Sequence, residues 1–183
     1  MISEFRKMKL LYLFYSYFDT NSSGSIDKMD FVLAAQNIAK LRGWSTGDAK
    51  YKETEVTLMK IWESLEKTAD SNHDGQISAE EWLKMWEDFA NNPSKPLEWQ
   101  TLYCKFIFEL QDSGGDGSID AEEFAAVHES FGLLKEDCLA AFKHISRGKP
   151  FITWNEFQEL WKDYFTSENP TDPGNFIFGA ATF

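Results

Sequence analysis

The 183-residue sequence predicts an all-α fold of four EF-type helix-loop-helix units, set in two paired lobes that form one compact globule. Three observations lead there. A glycine followed two residues later by isoleucine occurs at Gly24–Ile26, Gly75–Ile77 and Gly117–Ile119, each inside a twelve-residue acidic segment. Apolar residues on both sides of these segments recur at helical spacing. The polar stretch Asn91-Asn92-Pro93-Ser94-Lys95-Pro96 carries two prolines, which stop a helix and divide the units into two pairs.

The exiting helices are read from the residue after each segment. Phe31, Trp82 and Phe124 open them, followed on the same face by Ala34 and Ala35, Met85 and Trp86, and Val127 and His128. Entering helices show the same period in Ile61, Leu65 and Ala69, and in Tyr103, Ile107 and Phe108. A fourth unit follows by extrapolation, with Ile152, Glu156, Phe157, Leu160 and Trp161 at the matching places. Short β-bridges should join Ile26 to Ile77 and Ile119 to Ile152. The pairs then occupy residues 1–92 and 97–168, and residues 169–183 form a tail expected to pack on the body.

Composition narrows the partners. With 30 acidic against 18 basic residues the net charge is −12, which disfavours nucleic acid and anionic membrane and suits cations. The abundant rings (16 Phe, 7 Trp, 6 Tyr) read first as core material. Cys104 and Cys138 are too few for a disulfide scaffold and read as buried thiols. The N-terminus lacks a signal-peptide layout, and Leu10–Phe18 is too short and too polar to span a bilayer. A cytoplasmic monomer without nucleic-acid partner or membrane insertion is the expectation.

The acidic segments carry the chemistry. A calcium-sized cation takes six to eight oxygens, supplied by such a loop from positions 1, 3, 5, 7, 9 and 12 around a glycine at position 6. The second segment provides Asp70, Asn72, Asp74, the carbonyl of Gln76, Ser78 and Glu81. The first provides Asp19, Asn21, Ser23, the carbonyl of Ser25, Asp27 and Asp30. Its closing residue is one methylene shorter than Glu, so it should favour six-fold coordination, which magnesium also accepts. The third provides Asp112, Asp116, the carbonyl of Ser118, Asp120 and Glu123, but Gly114 stands where an oxygen belongs. Gly114 and Gly115 should also raise the entropy lost on ordering. The fourth has Ile145, Arg147, Lys149 and Pro150 at positions 1, 3, 5 and 6 and should bind nothing. Two or three calcium ions are expected, with magnesium competing mainly at the first loop.

With these loops, Asp30 closing the first, the segment Glu80-Glu81-Trp82-Leu83-Lys84-Met85-Trp86 and the tail Gly174-Asn175-Phe176-Ile177-Phe178-Gly179, the chain resembles the invertebrate sarcoplasmic calcium-binding proteins and their neuronal relative calexcitin over nearly its whole length. The resemblance implies calcium and magnesium binding through Asp19, Asn21, Ser23, Asp27 and Asp30, through Asp70, Asn72, Asp74 and Glu81, and through Asp112, Asp116 and Glu123. A calexcitin-type protein would change conformation with calcium and modulate neuronal excitability or calcium release. Relatives described as nucleotide binders or kinase substrates find no phosphate-cradling loop here and only a weak basic-flanked acceptor, Ser146. Calcium signalling of calexcitin type is the first reading, with an unknown protein target. A calcium and magnesium buffer is the alternative, and a calcium-triggered photoprotein the remote one. No catalytic constellation stands out among His73, His128 and His144.

Overall fold

The computed structural model describes residues 1–91 and 97–180. Helices α1 (Glu4–Leu13), α2 (Lys28–Arg42), α3 (Ala49–Ala69), α4 (Ala79–Asn91), α5 (Glu98–Gln111), α6 (Ala121–Ser130), α7 (Lys135–Ser146) and α8 (Trp154–Thr166) form four successive pairs, and between the two helices of each pair lies one strand, β1 (Ser25–Asp27), β2 (Gln76–Ser78), β3 (Ser118–Asp120) or β4 (Phe151–Thr153). A π-helical turn, Phe14–Phe18, lies between α1 and the first loop. Residues 92–96, where the sequence puts the boundary between the pairs, lie outside the described residues, as do tail residues 181–183.

Each strand is three residues long and pairs antiparallel with its partner loop, Ile26 opposite Ile77 and Ile119 opposite Ile152. The four isoleucines are buried, so each bridge is held by apolar burial as well as by its ladder. Helix starts follow from the loops. Asp27 caps α2 with Asp30, Asp120 caps α6 with Glu123, and Thr153 caps α8 with Glu156, each as a reciprocal capping box. The closing carboxylate of a loop thus also starts the next helix.

The chain divides into two compact units. One comprises Met1–Ile2 with Leu11–Tyr103, the other Ser3–Leu10 with Cys104–Phe183. In the first, Phe14, Phe18, Phe31, Trp82, Trp86 and Trp99 form a ring cluster, with Trp82, Trp86 and Trp99 mutually 5.5–5.8 Å apart. In the second, the tail returns through a 3-10 turn (Pro173–Phe176) and buries Phe176, Ile177 and Phe178. Phe178 meets Trp161 at 5.4 Å and Tyr164 at 4.8 Å, and Phe176 stacks on His144 at 4.3 Å. Gly174 permits this return. A Cβ there would lie 2.4 Å from Cβ of Asp163 and 2.6 Å from the carbonyl oxygen of Leu160.

Lys9 is almost wholly buried in the same unit. Its ammonium donates to the carbonyl oxygens of Tyr164 (2.7 Å) and Ser167 (3.0 Å) and to Oδ1 of Asn175 (2.7 Å). It therefore ties α1 to the end of α8 and to the tail. Burial pushes its pKa down to about 8, with Arg6 adding to the fall and Glu168, Asp172 and Asp163 opposing it.

Candidate metal centres

In the first loop the carboxylate of Asp19 accepts from the backbone N–H of Ser23 (2.8 Å) and Gly24 (2.9 Å). Asn21 Oδ1 accepts from Ser23 N–H at 3.0 Å, and Ser23 Oγ donates to the carbonyl of Ser25 at 3.0 Å. Asp30 spans the loop, accepting from Asn21 N–H (3.1 Å) and Asp27 N–H (2.8 Å). Its pKa is raised by burial, against the pull of those two amides; the neighbouring carboxylates of Asp27 and Asp19 raise it further. Asp27 faces the helix start, accepting from Met29 N–H at 2.8 Å.

The second loop repeats the plan. Asp70 accepts from His73 N–H (2.8 Å) and Gly75 N–H (3.0 Å), Asn72 from Asp74 N–H (2.9 Å), and Asp74 from Gln76 N–H (2.9 Å). Glu81 spans the loop from Ser71 N–H (3.1 Å) to Ser78 N–H (3.0 Å) and takes both serine hydroxyls. Partial burial works against its charge, but the hydrogen bonds from Ser78 and Ser71 outweigh it and hold the pKa below the ordinary glutamate value.

In the third loop Asp112 accepts from Asp116 N–H (3.1 Å) and Gly117 N–H (3.0 Å). Glu123 spans from Gly114 N–H (2.9 Å) to Asp120 N–H (3.1 Å), and Asp120 returns a cap to Glu123 N–H at 2.9 Å. Asp116 holds the hydroxyl and amide of Ser118, which lower its pKa. The two glycines differ. Gly115 sits at φ 66°, matching Ser22 at 57° and His73 at 60° in the other loops, so it suits a left-handed position common to all three. Gly114 has no such need, and a Cβ there would meet Glu123 Oε1 at an ordinary 3.4 Å. The missing oxygen is therefore the loop's one departure in chemistry. Gly114→Asp should raise calcium affinity at this loop about three- to tenfold in calorimetric titration, as an added carboxylate ligand does in such loops.

The fourth loop closes differently. Ile145 and Ser146 are buried, which removes Ser146 from the reach of a kinase. Glu156 accepts from Thr153 N–H at 2.9 Å, as its counterparts do at the same place. Its other oxygen takes the ammonium of Lys149 instead of an amide from the first half of the loop. A side-chain cation thus occupies the closing carboxylate.

Among the described residues no three His, Cys, Asp or Glu side chains converge on one point at metal distance. The acids of each loop are spread around it on backbone amides, and the remaining oxygens come from Asn, Ser and carbonyl groups. This all-oxygen donor set fits a hard divalent cation and offers no thiolate or imidazole to a softer one. His73 is exposed, and His128 is buried and held neutral, its pKa pushed down by that burial to about 3. The cysteines, pushed up by burial to about 12 (Cys104) and about 11 (Cys138), are poor nucleophiles. No helix among the described residues is long and apolar enough to cross a membrane.

Sequence reasoning located the three loops but missed the π-turn, the burial of Lys9 and the Lys149–Glu156 pair. The signal for the first was present. Leu13 and Phe14 lie six and five residues before Asp19, whereas Ile107 and Phe108 lie five and four before Asp112.

Comparison with known proteins agrees with this geometry. The EF hand family matches residues 16–33, 67–86 and 107–128, which contain or overlap the first three loops. Sarcoplasmic calcium-binding proteins I, III and IV of Branchiostoma lanceolatum are 32% identical over 97% of this chain and 98% of theirs. Calexcitin-1 of Caenorhabditis elegans is 30% identical over 93% of this chain and 84% of its own. The crystal structure of a sarcoplasmic calcium-binding protein from amphioxus superposes with a TM-score of 0.81 at 31% identity, covering 98% of both chains.

Proposed function

The chain belongs to the sarcoplasmic calcium-binding proteins, a calcium-binding EF-hand family, and from that premise we propose that it works as a calcium and magnesium buffer with three cation loops. The observation that carries the buffering role is the packed tail. Phe176, Ile177 and Phe178, which would be the obvious apolar lure for a partner, are spent on the core of their own unit. That packing moves the weight from signalling, the first reading of the sequence, toward buffering.

Bound calcium supplies a hard divalent charge that carboxylate, carboxamide, hydroxyl and carbonyl oxygens share. Asp19, Asn21, Ser23, the carbonyl of Ser25, Asp27 and Asp30 would hold it in the first loop. Asp70, Asn72, Asp74, the carbonyl of Gln76, Ser78 and Glu81 would do so in the second, and Asp112, Asp116, the carbonyl of Ser118, Asp120 and Glu123 in the third. In each loop the closing carboxylate already bridges the two halves, so ordering costs less than it would in an open chain. Asp30 has the shorter reach and the buried position, which suits the smaller magnesium ion.

Two measurements test this. Native mass spectrometry should find three calcium ions per chain. A fourth would sink the account of the fourth loop, and two would remove the third loop from the sites. Calcium titration with and without millimolar magnesium should show competition at one site. Asp30→Glu should shift that site toward calcium by on the order of tenfold, the scale on which ligand choice tunes such loops; an unchanged calcium-to-magnesium ratio defeats the ligand-reach argument. A calexcitin-type sensor remains the second reading, favoured by the aromatic contacts of Phe18 directly beside the first loop. A hydrophobic dye separates the two readings. Buffering predicts no rise in dye binding on calcium addition, and a sensor predicts a rise.

A further inference from the structure

The entry to the first loop differs from the entries to the second and third. Asp70 N–H donates to the carbonyl of Glu66 and Asp112 N–H to that of Phe108, both at 2.9 Å and both four residues back. Asp19 N–H instead donates to the carbonyl of Phe14, five residues back, at 2.8 Å. One extra residue has been inserted into the helix and taken up as a π-turn. Tyr15 is its exposed member, while Phe14, Tyr17 and Phe18 are buried. Such turns are rare, occur mostly as single-turn bulges inside α-helices, and are frequent at functional sites.

The first and last residues of that turn touch the same indole. Phe14 packs against Trp82 at 5.9 Å, and Phe18 packs against Trp82 at 5.3 Å. Phe18 also meets Trp99 at 5.8 Å and Tyr103 at 4.8 Å. Its counterparts directly before the second and third loops are Ala69 and Gln111, neither of which carries a ring. Asp19, next in the chain, is buried to 5% exposure, so its backbone has little room to move independently of Phe18.

We propose that the π-turn Phe14–Phe18 couples the first loop to the tryptophan cluster, so that the state of Asp19 is read out in Trp82 and Trp99 and the inserted residue helps to set the loop's affinity. The proposal rests on the first loop being a cation site, and the test keeps the two apart. In the full chain, Glu81→Gln and Glu123→Gln together leave the first loop as the sole strong candidate. Calcium and magnesium are then titrated with heat and tryptophan emission recorded in parallel.

The expected result is one ion per chain, with emission changing in step. Adding Phe18→Leu should keep the uptake of one ion and lose at least half of the emission change. Deleting Tyr15, which restores an α-helical register, should alter the affinity of the loop about fivefold or more. Circular dichroism establishes whether the deletion folds; if it does not, Phe18→Leu decides. Uptake of one ion with silent emission overturns the proposal, as does a Phe18→Leu chain that titrates like its parent. No uptake of an ion, by heat or by native mass spectrometry, removes the first loop from the proposed sites, and the inference falls with it.

Discussion

Cutting the chain after Gly174 is expected to lower its melting temperature by about 10 °C or more. The cut removes Phe176, Ile177 and Phe178, which are 7%, 1% and 0% exposed. Each buried side chain of this size contributes roughly 1.5–3 kcal/mol of transfer free energy, so about 5–9 kcal/mol is at stake in one unit. For a chain of this length a kilocalorie corresponds to roughly 2–4 °C. The rings of Trp161 and Tyr164 that Phe178 covers would face water, so binding of a hydrophobic dye should rise. Scanning calorimetry with a dye titration checks both. An unchanged melting point and dye response would mean that the tail adds nothing to the fold, and the buffering proposal would lose its main support. Gly174→Ala offers a point substitution against the same packing, because its Cβ would collide with backbone and not only with a flexible side chain.

The second large effect should come from Lys9→Met. Methionine keeps the volume and apolar stem but leaves three oxygens, on Tyr164, Ser167 and Asn175, without their donor. Each stranded buried acceptor costs about 1–3 kcal/mol, and three of them outweigh the cost of burying the charge itself. Denaturant unfolding at pH 7 measures the loss, and a difference below about 1 kcal/mol would show the ammonium to be dispensable. The pH dependence supplies an independent sign. The folded-state pKa of about 8 lies below the ordinary 10.5, so the unfolded chain holds the proton more tightly. Wild type should therefore gain stability relative to Lys9→Met as pH rises through that window, and the gap between the two should widen. A gap that narrows there would contradict the assignment of the buried charge.

Much of this architecture was legible in residue order because a cation loop is a local object. Twelve consecutive residues provide the oxygens, the glycine turn, the bridge isoleucine and the capping carboxylate. Their spacing alone located three loops, the degenerate fourth and both bridges. Asp30, Glu81 and Glu123 serve twice, as loop closers and as capping residues three positions into the next helix, and this double duty is also a matter of spacing.

Other features were hidden because their causes lie far apart in the chain. Gly115 looked like added looseness beside Gly114. Only the shared left-handed backbone of Ser22 and His73 shows that it relieves strain at a position where all three loops need a positive φ. Ser146 looked like a weak basic-flanked acceptor, yet the end of α7 turns it inward. Lys149 looked merely like a spoiled ligand until its ammonium was found on Glu156.

What the sequence by itself determined is therefore the number of hands, the candidate ligands of each loop and the pairing of loops through their isoleucines. Each depends on contacts within about a dozen residues or on a repeated period. Tertiary structure alone decided that Lys9 is buried under Tyr164 and Asn175, that the tail returns over α8 through Gly174, and that an extra residue before Asp19 is absorbed as a π-turn against Trp82. In all three, burial against a distant segment sets the free energy, and a side chain's own identity cannot say which segment will cover it.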